Sequence, residues 1–218
     1  MSLNKQHGNM YPWVTHTWNP IKGKCPHECE YCYMNRFPVG DLRLDKKCFN
    51  DNLGEGNTIF VGSSCDMFAV KVPEVWIKLV FQHIRDYQGN TYLLQSKNPE
   101  RFEGYFIPPF VICGTTIESN RDYGISKAPS PVKRFEDLYN VDAGHKMVSI
   151  EPILHFDINI LVDWIQDIKP DFVSIGADSK NNGLPEPSSN DVKQLIDALK
   201  QFTEVRVKSN LKRLGVRS

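Results

Sequence analysis

The sequence predicts an α/β fold built on a parallel sheet. Two patterns and one length carry that expectation. Short apolar runs recur along the chain, mostly β-branched or aromatic and without strict alternation, as in strands covered on both faces. Amphipathic stretches of helical period separate them, and strands alternating with helices form right-handed βαβ units. The chain has 218 residues, short of the roughly 250 that a complete eightfold α/β barrel usually needs.

The first strand is expected within residues 13–18, followed by a cysteine-bearing loop and a helix. Further strands are expected at 58–61, 91–94, 110–113, 146–150, 171–175 and 205–207, with helices between them. In 73–87, Val75, Leu79, Phe81 and Ile84 are apolar while Glu74, Lys78, Arg85 and Asp86 are polar. Pro73 suits the first helical position there. Residues 158–168 and 190–202 repeat the pattern, with Asn190 as an N-cap. The proline-rich stretches 107–109, 128–131 and 183–187 read as loops. Nothing reads as a linker or a solenoid repeat, so one domain over 1–218 is expected.

Charged residues make up 24%, hydrophobic residues 40% and aromatics 11%, the composition of an ordinary globular protein. That excludes a disordered chain, a collagen, a coiled coil and a disulfide miniprotein. Lys plus Arg is 26 and Asp plus Glu is 26, so net charge gives no reason to expect a polyanion-binding surface. No apolar run approaches the roughly 20 residues that span a bilayer. Residues 1–10 are polar and lack the apolar segment of a secretory signal. A cytoplasmic protein with no membrane partner is the expectation.

Three of the six cysteines stand close together, in Cys25-Pro-His-Glu-Cys29-Glu-Tyr-Cys32. Thiolates bind soft metals and iron–sulfur clusters. Three of them hold three irons of a cubane and leave the fourth open to a cofactor or substrate. Two blander readings stay open. The spacing i, i+4, i+7 also places three small core residues on one helical face, although Pro26, His27, Glu28 and Glu30 make a poor amphipathic set. A structural zinc site would take its fourth ligand from His27, Cys48 or Cys65, but only Cys29–Cys32 forms a C-x2-C pair.

With Tyr31 before the last cysteine and Tyr33 after it, this motif resembles the signature of the radical S-adenosylmethionine superfamily. Together with Thr17-Trp-Asn-Pro20, it resembles a small phage- and prophage-associated branch of that superfamily. Further matches are Val61-Gly-Ser-Ser-Cys-Asp-Met-Phe68, Leu94-Gln-Ser-Lys-Asn-Pro99 and Cys113-Gly-Thr-Thr-Ile-Glu118. Val148-Ser-Ile-Glu-Pro152 and Ser174-Ile-Gly-Ala-Asp-Ser179 complete the set. Each lies at the C-terminal end of an expected strand, where α/β barrels and open parallel sheets keep their active sites.

The resemblance implies a partial, open (β/α)6-type TIM-like barrel, with a cluster loop at 19–36 and a C-terminal strand and tail at 203–218. It implies a [4Fe–4S] cluster on Cys25, Cys29 and Cys32, with S-adenosyl-L-methionine chelated through its amino and carboxylate groups. An electron donor would drive its cleavage to methionine and a 5′-deoxyadenosyl radical that takes hydrogen from a substrate. The superfamily often has Gly-Gly-Glu after the second strand; here Gly62-Ser63-Ser64 lacks the glutamate. Ser63, Ser64 or Asp66 would then take the methionyl amino group, with a turn or helix cap as the alternative for the serines.

Lys97 would pair with the cofactor carboxylate, or stand as a solvated loop lysine. Glu118 would meet the ribose hydroxyls, with Thr116 and Asn120 beside it. Tyr31 would lie near the adenine, or simply pack, while Trp18 and Asn19 shape the loop. Glu151 emerges from a buried strand, which is costly for an unpaired carboxylate. With Lys208 and Asp178 it forms the expected substrate side. Cys113, inside an apolar run, reads as a buried hydrophobe; Cys65 lies nearer the mouth. The branch makes a nucleic-acid base or nucleotide the first expected substrate, with a small molecule or a peptide close behind. The rival class is a noncatalytic zinc- or cluster-binding interaction module. An incomplete barrel leaves a lateral opening and little chain for a separate recognition domain.

Overall fold

A computed structural model describes residues 3–6 and 10–216. In chain order it contains β1 (Leu3–Lys5), β2 (His16–Trp18), β3 (Ile21–Lys22), β4 (Arg43–Leu44) and β5 (Thr58–Val61). Then come α1 (Glu74–Asp86), β6 (Thr91–Gln95), β7 (Val111–Thr116), α2 (Pro131–Asn140) and β8 (His145–Ile150). α3 (Ile158–Ile168), β9 (Phe172–Ile175), α4 (Ser189–Leu199) and β10 (Glu204–Val207) follow. One sheet runs in the order β1-β2-β5-β6-β7-β8-β9-β10, and its two ends do not pair with each other. From β2 onward its strands are parallel, while β1 is antiparallel to β2. The α/β partial barrel is therefore open. β3 and β4 form a small antiparallel pair that brackets the cysteine loop.

Side-chain alternation sorts the strands into two cores. Ile59, Val61, Leu94, Val148, Ile150, Val173 and Ile175 pack with Ile77, Phe81, Leu161, Ile165 and Leu195 of the helices. The intervening Phe60, Leu93, Met147 and Phe172 instead pack against Tyr11 and Val14. The segment around Tyr11 thus covers the face of the sheet that the helices leave open. At mid-strand both faces are covered by apolar side chains, which is why the runs there do not alternate.

Several expected elements differ. The first strand pairs only over His16–Trp18, because the residues before it leave the sheet to fill its open face. No α-helix follows the cysteine loop. Two 3₁₀ turns, Tyr33–Arg36 and Lys46–Asn50, stand there instead, in a segment that lacks a continuous apolar stripe and is broken by Pro38 and Gly40. Between β6 and β7 the connection is a 3₁₀ turn, Pro99–Phe102; Pro99, Pro108 and Pro109 leave too little unbroken chain for a helix.

The run at 110–113 continues as strand to Thr116. α2 starts at Pro131, inside a stretch that reads as loop, with Ser130 capping it by accepting from the Lys133 amide. Pro73 occupies the N-cap of α1 rather than its first turn. Asn190 lies inside α4, whose N-cap is Ser188. The Ser188 hydroxyl accepts from the Asp191 amide at 3.2 Å while the Asp191 carboxylate accepts from the Ser188 amide at 3.3 Å, a reciprocal capping box.

Ser188→Ala removes half of that box. Its expected cost is about 1 kcal/mol, read in thermal denaturation as a fall in Tm of roughly 2–4 °C for a domain of this size.

Candidate functional site

The inward parity that carries Phe60, Leu93, Met147 and Phe172 also carries the polar residues nearer the C-terminal strand ends. Two steps beyond Leu93 comes Gln95 and then Lys97; beyond Met147 come Ser149 and Glu151. Glu118 follows Thr116 by the same step, and Lys208 follows Arg206. A cavity of about 470 Å³ opens at this end. Its wall includes Cys25, Cys29 and Cys32 on one side and Glu151, Asp178 and Lys208 on the other. Ser63, Ser64, Asp66, Lys97, Tyr31 and Thr116 also line it. Glu118 and Asn120 do not reach it.

Register explains the side with Glu151. Ile150 pairs with Ile175, and Ile175 with Val207, so Glu151, Gly176 and Lys208 follow in a row. Glu151 Oε2 accepts from Lys208 Nζ at 2.9 Å across β9. A Cβ on Gly176 would come within 2.7 Å of the Glu151 carboxyl carbon, so the bare glycine is what lets the pair meet. Asn210 Nδ2, 3.3 Å from Glu151 Oε1 and 2.8 Å from Ala177 O, adds a second hold. Asp178 spends its carboxylate on its own loop, accepting from the Lys180 amide and from Asn182. Deeper in, the Tyr11 hydroxyl lies 2.9 Å from Gln95 Oε1 and 2.8 Å from Ser149 Oγ. Lys208 Nζ sits over the Tyr11 ring.

On the cysteine side, a buried carboxylate, Glu118, and a largely covered one, Asp66, organise the wall. Asp66 Oδ2 accepts from His27 Nε2 at 2.8 Å, Ser96 Oγ at 2.9 Å and the Lys97 amide at 2.8 Å, and Oδ1 from the Phe68 amide at 2.9 Å. These four donors make Asp66 the tie between three loops, while its place in the cavity lining leaves the expected contact with a cofactor amino group open to Oδ1, which holds a single donor. Glu118 accepts from Lys97 Nζ at 2.7 Å, from Arg134 at 2.7 Å and from the Tyr31 hydroxyl. It therefore stands behind the cavity wall rather than facing a ribose. Burial pushes the Glu118 carboxyl up, but Lys97 and Arg134 overcome this and hold it at about 2. Tyr31 points its hydroxyl into this network, and burial beside Glu118 keeps that hydroxyl protonated.

Lys97 serves both carboxylates, Asp66 by its amide and Glu118 by its ammonium. Its Nζ also donates to the Tyr31 oxygen at 2.5 Å, leaving one of its three N–H groups for a ligand. Ser63 Oγ and the Ser64 amide both donate to Asn19 Oδ1, at 3.2 and 3.0 Å. Thr116 Oγ1 accepts from Gln95 at 2.9 Å. Asn120 pairs with Asp157 instead, away from the cavity. Cys65 lines the cavity beside Cys25, whose thiolate this contact favours, whereas burial raises Cys29 and Cys32. Cys48 and Cys113 are fully buried.

Three thiols, those of Cys25, Cys29 and Cys32, border one cavity, and such a set is chemically suited to soft metals and to iron–sulfur clusters. Sequence reasoning missed His27 as an anchor, and also Tyr11, Gln95, Arg134 and Asn210. A histidine within the cysteine spacing was visible, but its partner lies 39 residues away.

Residues 9–185 match the family model described as "Protein of unknown function (DUF5131)". The chain belongs to the DUF5131 family. No curated protein matches it. Among solved structures, this DUF5131 chain is similar to spore photoproduct lyase complexed with dinucleoside spore photoproduct. The TM-score is 0.63 at 11% identity, covering 93% of this chain and 78% of that one. A spore photoproduct lyase variant with bound AdoMet and dinucleoside spore photoproduct gives 0.56 at 11% identity, over 90% and 64%. Streptococcus suis SuiB bound to precursor peptide SuiA gives 0.58 at 8% identity, over 91% and 49%. At these identities the likeness is one of fold, and this chain shares the mostly parallel, open α/β sheet of these structures. No helix among the described residues is long and apolar enough to cross a membrane.

Glu118→Gln keeps the shape and removes the charge that two buried cations share. Breaking a buried ion pair from one side typically costs about 3–5 kcal/mol, and a urea titration should show a loss of that order. The folded carboxyl lies below its usual 4.5, near about 2. Its contribution is thus present above pH 4.5 and disappears as pH falls toward 2. Wild-type stability should drop through that window more steeply than that of the variant.

Proposed function

We propose that this DUF5131 protein is a radical S-adenosylmethionine enzyme whose Cys25, Cys29 and Cys32 hold a [4Fe–4S] cluster. One observation carries the reading: all three thiols border a single cavity at the C-terminal strand ends of this fold. When bound, the cluster and S-adenosyl-L-methionine supply a one-electron reductive cleavage to methionine and a 5′-deoxyadenosyl radical able to take a substrate hydrogen.

The protein's own part is to bind, orient and exclude water. Ser63 and Ser64, held by Asn19, would receive the methionyl amino group together with the Asp66 carboxylate at the same wall. The remaining N–H of Lys97 would meet the cofactor carboxylate, and Thr116 would border the nucleoside. Glu151 and Lys208, with the Asp178 loop, form the substrate wall opposite. The pair is mutually neutralised, so it offers a donor beside an acceptor without net charge. The substrate we favour is a nucleic-acid base or nucleotide. The resemblance to a phage-associated branch and the dinucleoside bound by the similar lyase support it. An external one-electron donor is required.

Anaerobic reconstitution with iron and sulfide should give a brown protein that, once reduced, converts S-adenosylmethionine to 5′-deoxyadenosine and methionine. Cys29→Ala should abolish both colour and cleavage. Cys113→Ala should keep both and lose on the order of 1 kcal/mol in stability. A colourless protein holding zinc would overturn the reading in favour of a noncatalytic module. For the substrate, deuterium should pass from a deuterated oligonucleotide into 5′-deoxyadenosine. Transfer only from peptides would move the substrate to that class.

A further inference from the structure

We propose that His27 is a positioning residue that fixes the cysteine loop over the cavity by clasping the Asp66 carboxylate. This rests on the reading of Cys25, Cys29 and Cys32 as cluster ligands. His27 lies between the first two of them, and its side chain is only 4% exposed. Its Nε2 donates to Asp66 Oδ2 at 2.8 Å. Asp66 is not a free partner that follows the loop. The Phe68 amide, Ser96 Oγ and the Lys97 amide already hold it, from the loops after β5 and β6. The imidazole therefore docks onto an immobile anchor on the sheet.

Two further observations give the clasp work to do. Glu28, next to His27, has φ 45°, the left-handed region that a side chain with a Cβ occupies only when its surroundings hold it. The His27 carbonyl also accepts from the Lys127 amide at 2.7 Å. Beyond Glu28, the Glu30 amide donates to Ile125 O at 3.0 Å, so the chain is gripped on both sides of a strained turn that sets where Cys29 stands relative to Cys25. Four residues on, Tyr31 enters the Glu118 network. One anchored side chain thus falls in each gap of the motif, with Cys29 between the two and Cys25 and Cys32 flanking them at the cavity wall. Without the His27 clasp, the turn at Glu28 relaxes and the three sulfurs lose their common spacing.

The experiment compares wild type, His27→Ala, His27→Gln and Lys127→Ala after anaerobic reconstitution with iron and sulfide. The readouts are iron per chain and the EPR spectrum of the reduced cluster with and without S-adenosylmethionine. His27→Ala should remain folded by circular dichroism, take up several-fold less iron, and lose the spectral change on adding S-adenosylmethionine. His27→Gln, which keeps a donor for Asp66, should restore both. Lys127→Ala removes only an exposed ion pair with Glu28 and should match wild type.

If alanine at 27 prevents folding, His27→Leu, which fills the volume without a donor, takes its place. A donorless variant with wild-type iron and an unchanged spectrum would overturn the proposal. So would a glutamine variant as impaired as alanine. A wild-type chain that takes up no cluster would instead overturn the reading of the cysteines.

Discussion

Two carboxylates, the largely covered Asp66 and the buried Glu118, hold the cysteine loop against the open end of the sheet. An ionised carboxylate in such a place is stable only when hydrogen bonds and cations replace its water. Here the replacements come from different strand ends, so satisfying the charge also assembles the site. Asp66 gathers the cysteine loop and the loops after β5 and β6. Glu118 gathers Tyr31, Lys97 and Arg134 of α2. Lys97 belongs to both sets, which makes the two networks one body. Glu118→Gln therefore tests the register of the whole wall as well as one charge.

The opposite wall follows a different logic. There, sheet register and a missing Cβ align Glu151 with Lys208, and the C-terminal turn adds Asn210. The family match ends at residue 185, so Lys208 and Asn210 lie beyond it. The sheet between the two walls ends without closing. The open edge of the sheet therefore lies beside a cavity whose walls are built by loops from both sides.

Much of the frame was legible because burial writes itself into local sequence. Ile112 with Cys113, Met147 with Val148 and Phe172 with Val173 are apolar on both faces, since helices cover one and the Tyr11 segment the other. The 3₁₀ turns in place of two helices were not legible from strand–helix rhythm alone. Prolines and the want of an apolar stripe decide them. Tyr11 was invisible as a site residue because a lone tyrosine in a polar N-terminal stretch carries no periodicity. Its partners, Gln95 and Ser149, come from β6 and β8.

By itself the sequence determined the parallel α/β frame and the three closely spaced thiols at one end of it. Those depend on neighbours in the chain, on strand period and on short spacing. Which carboxylates face the cavity and which stand behind its wall was decided only by the tertiary structure. Asp66 and Glu118 read alike as ligand-binding acids, yet apart from the Phe68 amide beside Asp66 their cations and donors lie 16 to 87 residues away. A buried charge is settled by whatever the fold brings within about 3 Å of it, and no local pattern records that.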